Sequence, residues 1–329
     1  MIFSNNKLQK EKISIISDYK KLKRFKYKYK EKKKSRKRKS KFLLFLFIIF
    51  FSLFFILLLF ISNKLNNTYK YKQDDITIIS AYYKMKSKHK SEEYYNWINN
   101  IVLLNKSIVS FSNKEFMPTI KELRPKELYY KTVFIELEME EFYSYKNFYK
   151  EFVEALKIDH ERSYHSVPLY LIWAEKASFV KQVILQNYFR SKCFYWVDAG
   201  YFRMSKNDMQ KFVINGWPST KQCFSDNRVL FGQVKEYSES DMKNIINFDR
   251  AAHQKLKTNL NLIGGIFGGQ KINVLKFIDL YYNAIRLFIK HNLFIGKDQN
   301  IFSYVAFAHP DVVKLKRCRD FFDFQSYLA

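Results

Sequence analysis

Glycine, proline and cysteine are scarce in this chain of 329 residues, which has 8 Gly, 5 Pro and 3 Cys. Cys193, Cys223 and Cys318 are odd in number and show neither CxxC nor Cys/His spacing, so a zinc-ribbon site is excluded and at most one internal disulfide can form. With so little glycine there is no dinucleotide G-x-G-x-x-G after a first strand and no phosphate loop ending in G-K-[ST]. No internal repeat is visible. The excess of Lys, Asn, Ile, Phe and Tyr reads as genomic bias, so an ordinary Lys or Phe carries little functional information and the rarer residues carry more.

Acidic residues are also few beside basic ones, and the formal net charge is +27. Such a value suggests a nucleic-acid binder until its distribution is examined. Residues 1–41 hold 18 Lys/Arg against 3 Asp/Glu, a net of +15, and the rest of the chain carries only +12. The block "KKLKRFKYKYKEKKKSRKRKSK" (20–41) runs directly into "FLLFLFIIFFSLFFILLLFI" (42–61), which contains one polar residue, Ser52, and no charge. About 20 apolar residues suffice to cross a bilayer as a helix. Residues 42–61 are therefore expected to be a transmembrane helix, and the basic flank places residues 1–41 in the cytoplasm. A cleaved signal peptide is the competing reading, but the apolar run is long and "ISNKLNNTYK" has no small-x-small cleavage site. The basic tail itself needs no nucleic acid, because it sets topology and attracts anionic lipids.

The implied organisation is a tail (1–41), a single membrane span (42–61), a polar stem (62–74) and one luminal domain (75–329) with 47% hydrophobic residues chain-wide to build its core. The expected protein is single-pass type II, in the Golgi or endoplasmic reticulum if eukaryotic. Sequons stand at Asn66 and Asn105.

"DDITIISAYY" (74–83) reads as a buried strand, "SEEYYNWINNIVLL" as a helix with Ser91 as N-cap, and "SIVSFS" (107–112) as a second strand. This begins an α/β unit, whose parallel strands leave ligands at their carboxyl ends. Residues 115–165 are mixed, acidic in "ELEMEEF", and expected to be helical. "PLYLIWAEKASFVKQVILQNYF" (168–189) reads as a helix, "CFYWVDAGYFR" (193–203) as a strand running into Asp198, and helices are expected around 274–288 and from Asp298.

Three features carry chemistry. Asp198 follows a hydrophobic strand, where a carboxylate can hold a divalent cation against a diphosphate or simply cap a D-x-G turn. "GGIFGG" concentrates Gly264, Gly265, Gly268 and Gly269 around Ile266 and Phe267, as a close ligand approach, a sharp turn or tight packing requires. In "GKDQN", Asp298 and Gln299 open a helix, where Asp298 serves either as an N-cap or as a ligand-facing carboxylate.

Taken together, "DITIISAYY", "EYYNWI", "SIVSFS", "LIWAEKASFV", "FYWVDAGYFR", "GGIFGG" and "GKDQN" resemble the HtrL/YibB family, over roughly residues 75–308. That family is associated with bacterial lipopolysaccharide synthesis and resembles GT-A glycosyltransferases. The glycine loop followed by an acidic segment is also similar to retaining GT-A enzymes of the blood-group type. The resemblance implies a mixed, mostly parallel sheet flanked by helices, a nucleotide-sugar donor and a glycan acceptor, with no nucleic acid. It further implies that Ser80, Ala81 and Tyr82 contact the nucleotide and that Lys176 and Arg203 contact the diphosphate. Asp198 would bind Mn²⁺ or Mg²⁺, Phe267, Gly268 and Gly269 would border the acceptor, and Asp298 with Gln299 would be the catalytic segment. "DAG" carries one carboxylate where a DxD motif has two. A catalytically silent, membrane-tethered glycan-binding or scaffold protein is the alternative.

Overall fold

The computed structural model describes residues 45–59, 71–85, 89–258 and 262–329. The chain divides into two units, Met1–Asn66 and Asn67–Ala329.

In the first unit, residues 45–59 form helix α1 with exposed side chains along its whole length. Ser52 donates its hydroxyl to the Ile48 carbonyl one turn back (2.8 Å), so the one polar side chain of the apolar run is satisfied within its own helix. The ends of the expected span, 42–44 and 60–61, lie outside the described residues, as do the tail 1–41 and Asn66. Among the described residues no helix is long and apolar enough to cross a membrane.

The second unit is α/β. Its elements in chain order are β1 (Ile76–Ala81), α2 (Ser91–Val102), β2 (Ser107–Ser112), α3 (Met117–Leu123), β3 (Thr132–Glu136), α4 (Tyr143–Lys157), α5 (Val167–Gln186) and β4 (Cys193–Val197). They continue with α6 (Lys206–Ile214), α7 (Thr220–Phe224), β5 (Val229–Gln233), α8 (Glu239–Ile246), α9 (Arg250–Thr258), β6 (Leu262–Gln270), α10 (Lys271–Lys290), α11 (Asp298–Ala308), β7 (Val313–Arg317) and α12 (Asp323–Tyr327). The seven strands form one sheet in the order β3-β2-β1-β4-β6-β5-β7. β6 runs antiparallel to β4 and β5, while the pairs β1/β2, β2/β3, β1/β4 and β5/β7 are parallel.

Alternate strand residues face opposite cores, as the two-residue period demands. Ile79, Phe111, Trp196 and Phe267 pack with α4, α5, α10 and α11, whereas Ile78, Ile108, Tyr195 and Ile266 pack with α2, α3 and α12. This is why β1, β2 and β4 carry no charged residue and are buried along their whole length. Helix α5 starts where Ser166 accepts from the Leu169 N–H and Pro168 occupies the first turn, and it ends at Asn187 in the left-handed region (φ 44°). It is buried on most sides between the sheet, α4 and α10, which explains how a lysine at its centre, Lys176, comes to be inside the protein.

The chain leaves β1 for β2 on one side and returns through β4 on the other. Strand order therefore reverses at the β1/β4 pair, and a crevice opens at their carboxyl ends.

Two expectations are corrected. Of the segment 115–165, expected to be helical, α3 and α4 are helices, but "ELEMEEF" is not: it is the last residue of β3, a connecting stretch and one short 3-10 turn at Met139–Glu141, and its Leu137, Met139 and Phe142 pack onto the core. The glycine cluster is not a turn but part of the interior strand β6, buried from Leu262 to Gly269. The disulfide pairs Cys193 at the start of β4 with Cys223 in α7, leaving Cys318 buried with a free thiol. Asn105, at the α2–β2 turn, is exposed.

Candidate active site

A cleft opens at the carboxyl ends of β1 and β4, lined by Ala81, Tyr82, Asp198 and Arg203 together with Trp173 and Lys176 of α5. It is the crevice that the reversal of strand order predicts.

Asp198 is the first residue past β4. Its main-chain N–H donates to the Gly265 carbonyl (2.8 Å), which holds the strand end against β6, and its own carbonyl accepts from Tyr201 N–H (2.9 Å) to close a turn. The side chain does not cap that turn. Oδ1 accepts from the Trp196 indole N–H (2.6 Å), and the carboxylate faces the Lys176 ammonium, with Oδ1 at 3.0 Å and Oδ2 at 3.2 Å. The Asp198 side chain is 34% exposed, so it presents charge to the cleft while anchored from behind. Gly200 is needed here because a Cβ would stand 3.1 Å from both Trp97 and Tyr94.

The Lys176 side chain is 3% exposed and its ammonium also meets Asp298 Oδ2 (2.8 Å) and the Gly264 carbonyl (3.0 Å). Burial alone would lower this lysine; the carboxylates of Asp198 and Asp298 outweigh that and hold it above its ordinary value. Asp298 is the first residue of α11, with Lys297 as N-cap. Its Oδ1 accepts from Gln299 N–H (2.8 Å), and the positive end of the helix favours its charge. Burial nevertheless raises the Asp298 carboxyl, with Lys176 opposing. Oδ2 meets the ammonium as an ion pair and has no other donor among the described residues.

Half of the glycine cluster serves this centre. At Gly264 a Cβ would meet the Asp298 carboxylate at 3.2 and 3.3 Å and Gln299 Cγ at 3.0 Å, so its absence lets α11 approach the sheet. Gln299 closes that contact by donating Nε2–H to the Leu262 carbonyl (2.9 Å). The other half packs the sheet. At Gly268 a Cβ would lie 2.4 Å from the Phe194 carbonyl oxygen and from Tyr195, and at Gly269 it would lie 3.1 Å from the Arg228 carbonyl oxygen. Phe267 stacks on Phe231 and contacts Phe277 and Phe302 in the core. Phe267, Gly268 and Gly269, expected at the acceptor, are thus interior residues with no share in the cleft.

Asp298 and Gln299, expected to face the transferred sugar, stand behind Lys176 rather than on the cleft wall. Ala81 and Tyr82 line the cleft, and the Tyr82 ring leans on Phe116 and Tyr94 with centroids 4.6 and 5.5 Å away. Ser80 is buried beneath, its hydroxyl without a hydrogen-bond partner among the described residues. Arg203 lies with its guanidinium 4.2 Å from the centre of the Trp97 ring, donating Nε–H to the Gly200 carbonyl (2.9 Å) and Nη1–H to His89 Nε2 (3.0 Å). It is exposed and fixed in direction, as a contact to an anion requires.

Sequence reasoning missed Trp196 and Trp97. The first was legible, since i and i+2 share a strand face and Trp196 stands two before Asp198. Trp97 was not, because only the fold carries α2 to the loop after β4.

The divalent cation implied for Asp198 meets a poor donor set. Both Asp198 oxygens already face Lys176, and one accepts from Trp196. Among the described residues no group of three or more His, Cys, Asp or Glu side chains converges.

The sequence pattern of HtrL_YibB, described as "Bacterial protein of unknown function", matches residues 74–329. The chain belongs to that family. A search of curated proteins found no match.

Proposed function

We propose, with membership of the HtrL_YibB family as the premise, that residues 75–329 are a GT-A-like glycosyltransferase domain that moves a sugar from a nucleotide sugar to a glycan acceptor. The observation that carries this reading is the cleft at the β1/β4 reversal, where one anchored carboxylate and one fixed guanidinium share a wall with Tyr82. In this reading Tyr82 gives the nucleobase an aromatic face, and Arg203 meets the diphosphate and stabilises the charge that develops on it as the leaving group. Asp198 accepts hydrogen bonds from the donor sugar's hydroxyls, its direction set by Trp196 and Lys176. Asp298 and Gln299 act from behind, as positioning residues that hold Lys176 and β6.

Residues 42–61 would anchor this domain as a single span, with 1–41 in the cytoplasm. The Cys193–Cys223 disulfide supports placement of the domain in an oxidising lumen, where such bonds persist.

A silent binding protein on the same fold is favoured by one observation: both carboxylates are already ion-paired to Lys176. Release of nucleoside diphosphate from nucleotide sugars by the purified full chain, tested against Asp198→Asn and Arg203→Ala, decides between the two. An enzyme loses turnover in both variants while remaining folded. Absence of any turnover in the unaltered chain, with nucleotide bound, selects the silent protein.

A further inference from the structure

Lys176 Nζ is surrounded by four oxygen atoms: Asp198 Oδ1 at 3.0 Å, Asp198 Oδ2 at 3.2 Å, Asp298 Oδ2 at 2.8 Å and the Gly264 carbonyl at 3.0 Å. They come from three separate elements: the end of β4, the first turn of α11 and β6. Two carboxylates and a main-chain carbonyl are the donor chemistry of a hard divalent cation, which would draw the oxygens in to about 2.0–2.6 Å. Here the centre of the cage is filled by an ammonium on a chain carried by a buried helix.

We propose that the Lys176 ammonium is the built-in cation of this cleft, standing where a divalent ion would bridge Asp198 and Asp298, so that the cleft takes its anionic ligand without a divalent metal. For the ligand this rests on the nucleotide-sugar reading above; for the cation it rests on the cage alone.

Three further observations agree. The Trp196 indole directs its N–H at Asp198 Oδ1, the nearer of that carboxylate's two oxygens to the ammonium, and the positive end of that dipole opposes a metal on the same atom. The ammonium cannot swing aside to admit one, because its side chain is almost wholly buried and a divalent ion beside it would meet like charge. The stretches of the second unit outside the described residues read N-T-Y-K (67–70), K-S-K (86–88) and N-L-N (259–261), and hold no further carboxylate, His or Cys. Burial disfavours the charged lysine, but the two carboxylates beside it outweigh that and keep it charged. Arg203 is then the cation that touches the ligand.

The test uses Mn²⁺ alone as the probe, on the full chain in detergent micelles, with bound metal counted by electron paramagnetic resonance and stability followed by thermal unfolding. The wild-type chain is expected to show no saturable Mn²⁺ site up to about 1 mM, the weak end of oxygen-donor cation sites. Lys176→Met, which keeps the length and removes the charge, is expected to gain one site per chain, with a rise in Tm that EDTA reverses and that Asp198→Asn added to it removes. A saturable Mn²⁺ site in the wild-type chain that Asp198→Asn abolishes would overturn the proposal, as would a folded Lys176→Met chain that gains no site. Should Lys176→Met fail to fold even with Mn²⁺, the wild-type titration decides alone. Nucleoside diphosphate binding is expected to be equal in EDTA and in Mn²⁺. Binding that appears only with Mn²⁺ refutes the inference and leaves the transferase reading intact; no binding in either buffer counts against the transferase while the Mn²⁺ titration still judges the cage.

Discussion

Replacing Gly268 and Gly264 by alanine separates the two uses of the glycine cluster. The Cβ of Gly268→Ala would stand 2.4 Å from the Phe194 carbonyl oxygen and 2.4 Å from Tyr195 Cδ1, both in the neighbouring strand. Carbon atoms in contact sit at about 3.5–4.0 Å, so more than 1 Å of backbone movement is required in the middle of the sheet. Overpacking of this kind costs about 1–3 kcal/mol and occasionally more, and a clash with paired backbone belongs at the upper end, about 3 kcal/mol. For a domain of this size each kcal/mol shifts Tm by about 2–4 °C, so Gly268→Ala should lower Tm by about 6–12 °C. Gly264→Ala meets only side-chain atoms, Gln299 Cγ at 3.0 Å and the Asp298 oxygens at 3.2 and 3.3 Å. These can yield by a few tenths of an ångström, and the cost should be about 1 kcal/mol. The displaced Asp298 carboxylate would, however, disturb its pairing with Lys176, so ligand binding should suffer more than stability. Thermal unfolding of the full chain, paired with nucleotide titration, reads both. A Gly268→Ala chain within 1 °C of wild type, or a Gly264→Ala chain that unfolds earlier than Gly268→Ala, would refute the packing argument.

Arg203→Ala and Trp97→Ala should both weaken nucleoside diphosphate binding, the first by about tenfold or more for loss of a charged hydrogen bond and the second by less, because Trp97 only orients the guanidinium; calorimetric titration of both variants measures this. Reduction of Cys193–Cys223, or Cys223→Ser, should cost about 3.6 kcal/mol for a loop of this length and lower Tm accordingly, read by unfolding with and without reductant. Glu175 accepts from the Tyr143 and Ser144 N–H groups at the start of α4 (3.0 and 2.7 Å), yet its burial lifts the carboxyl above the usual value near 4.5. The folded state then holds its proton at pH values where the unfolded state has lost it, so Glu175 makes stability fall as pH rises from about 4.5 through its folded pKa. Glu175→Gln should remove that part of the slope in denaturant midpoints measured across pH.

Much of this architecture was legible because buried parallel strands and one-faced helices leave strong patterns. "ITIISA", "SIVSFS" and "CFYWV" hold only apolar or small uncharged polar residues because both faces of β1, β2 and β4 are covered, and the helix expected at 168–189 stands at Val167–Gln186. The edge of the sheet was harder. β3 is short and half-exposed, so "TVFIE" merges with acidic residues that follow it and gives no period. The glycines were ambiguous for a different reason: four close together fit a ligand approach, a turn or tight packing alike, and it is packing that β6 shows, where they admit side chains from β4 and α11 that are distant in sequence. Asp198 and Asp298 were each visible beside a hydrophobic run. Their meeting on Lys176 was not, since it depends on α5, β6 and α11 packing at one point.

The measurement that tests the central claim most directly is a thermal-shift titration of the full chain with nucleoside diphosphates and their sugar conjugates, since a ligand that binds only the folded state must raise apparent stability. The account predicts that one nucleotide class raises Tm in a saturable manner, and that Arg203→Ala and Asp198→Asn, still folded, lose most of that shift. No shift with any nucleotide, or a shift that both variants retain, would contradict it.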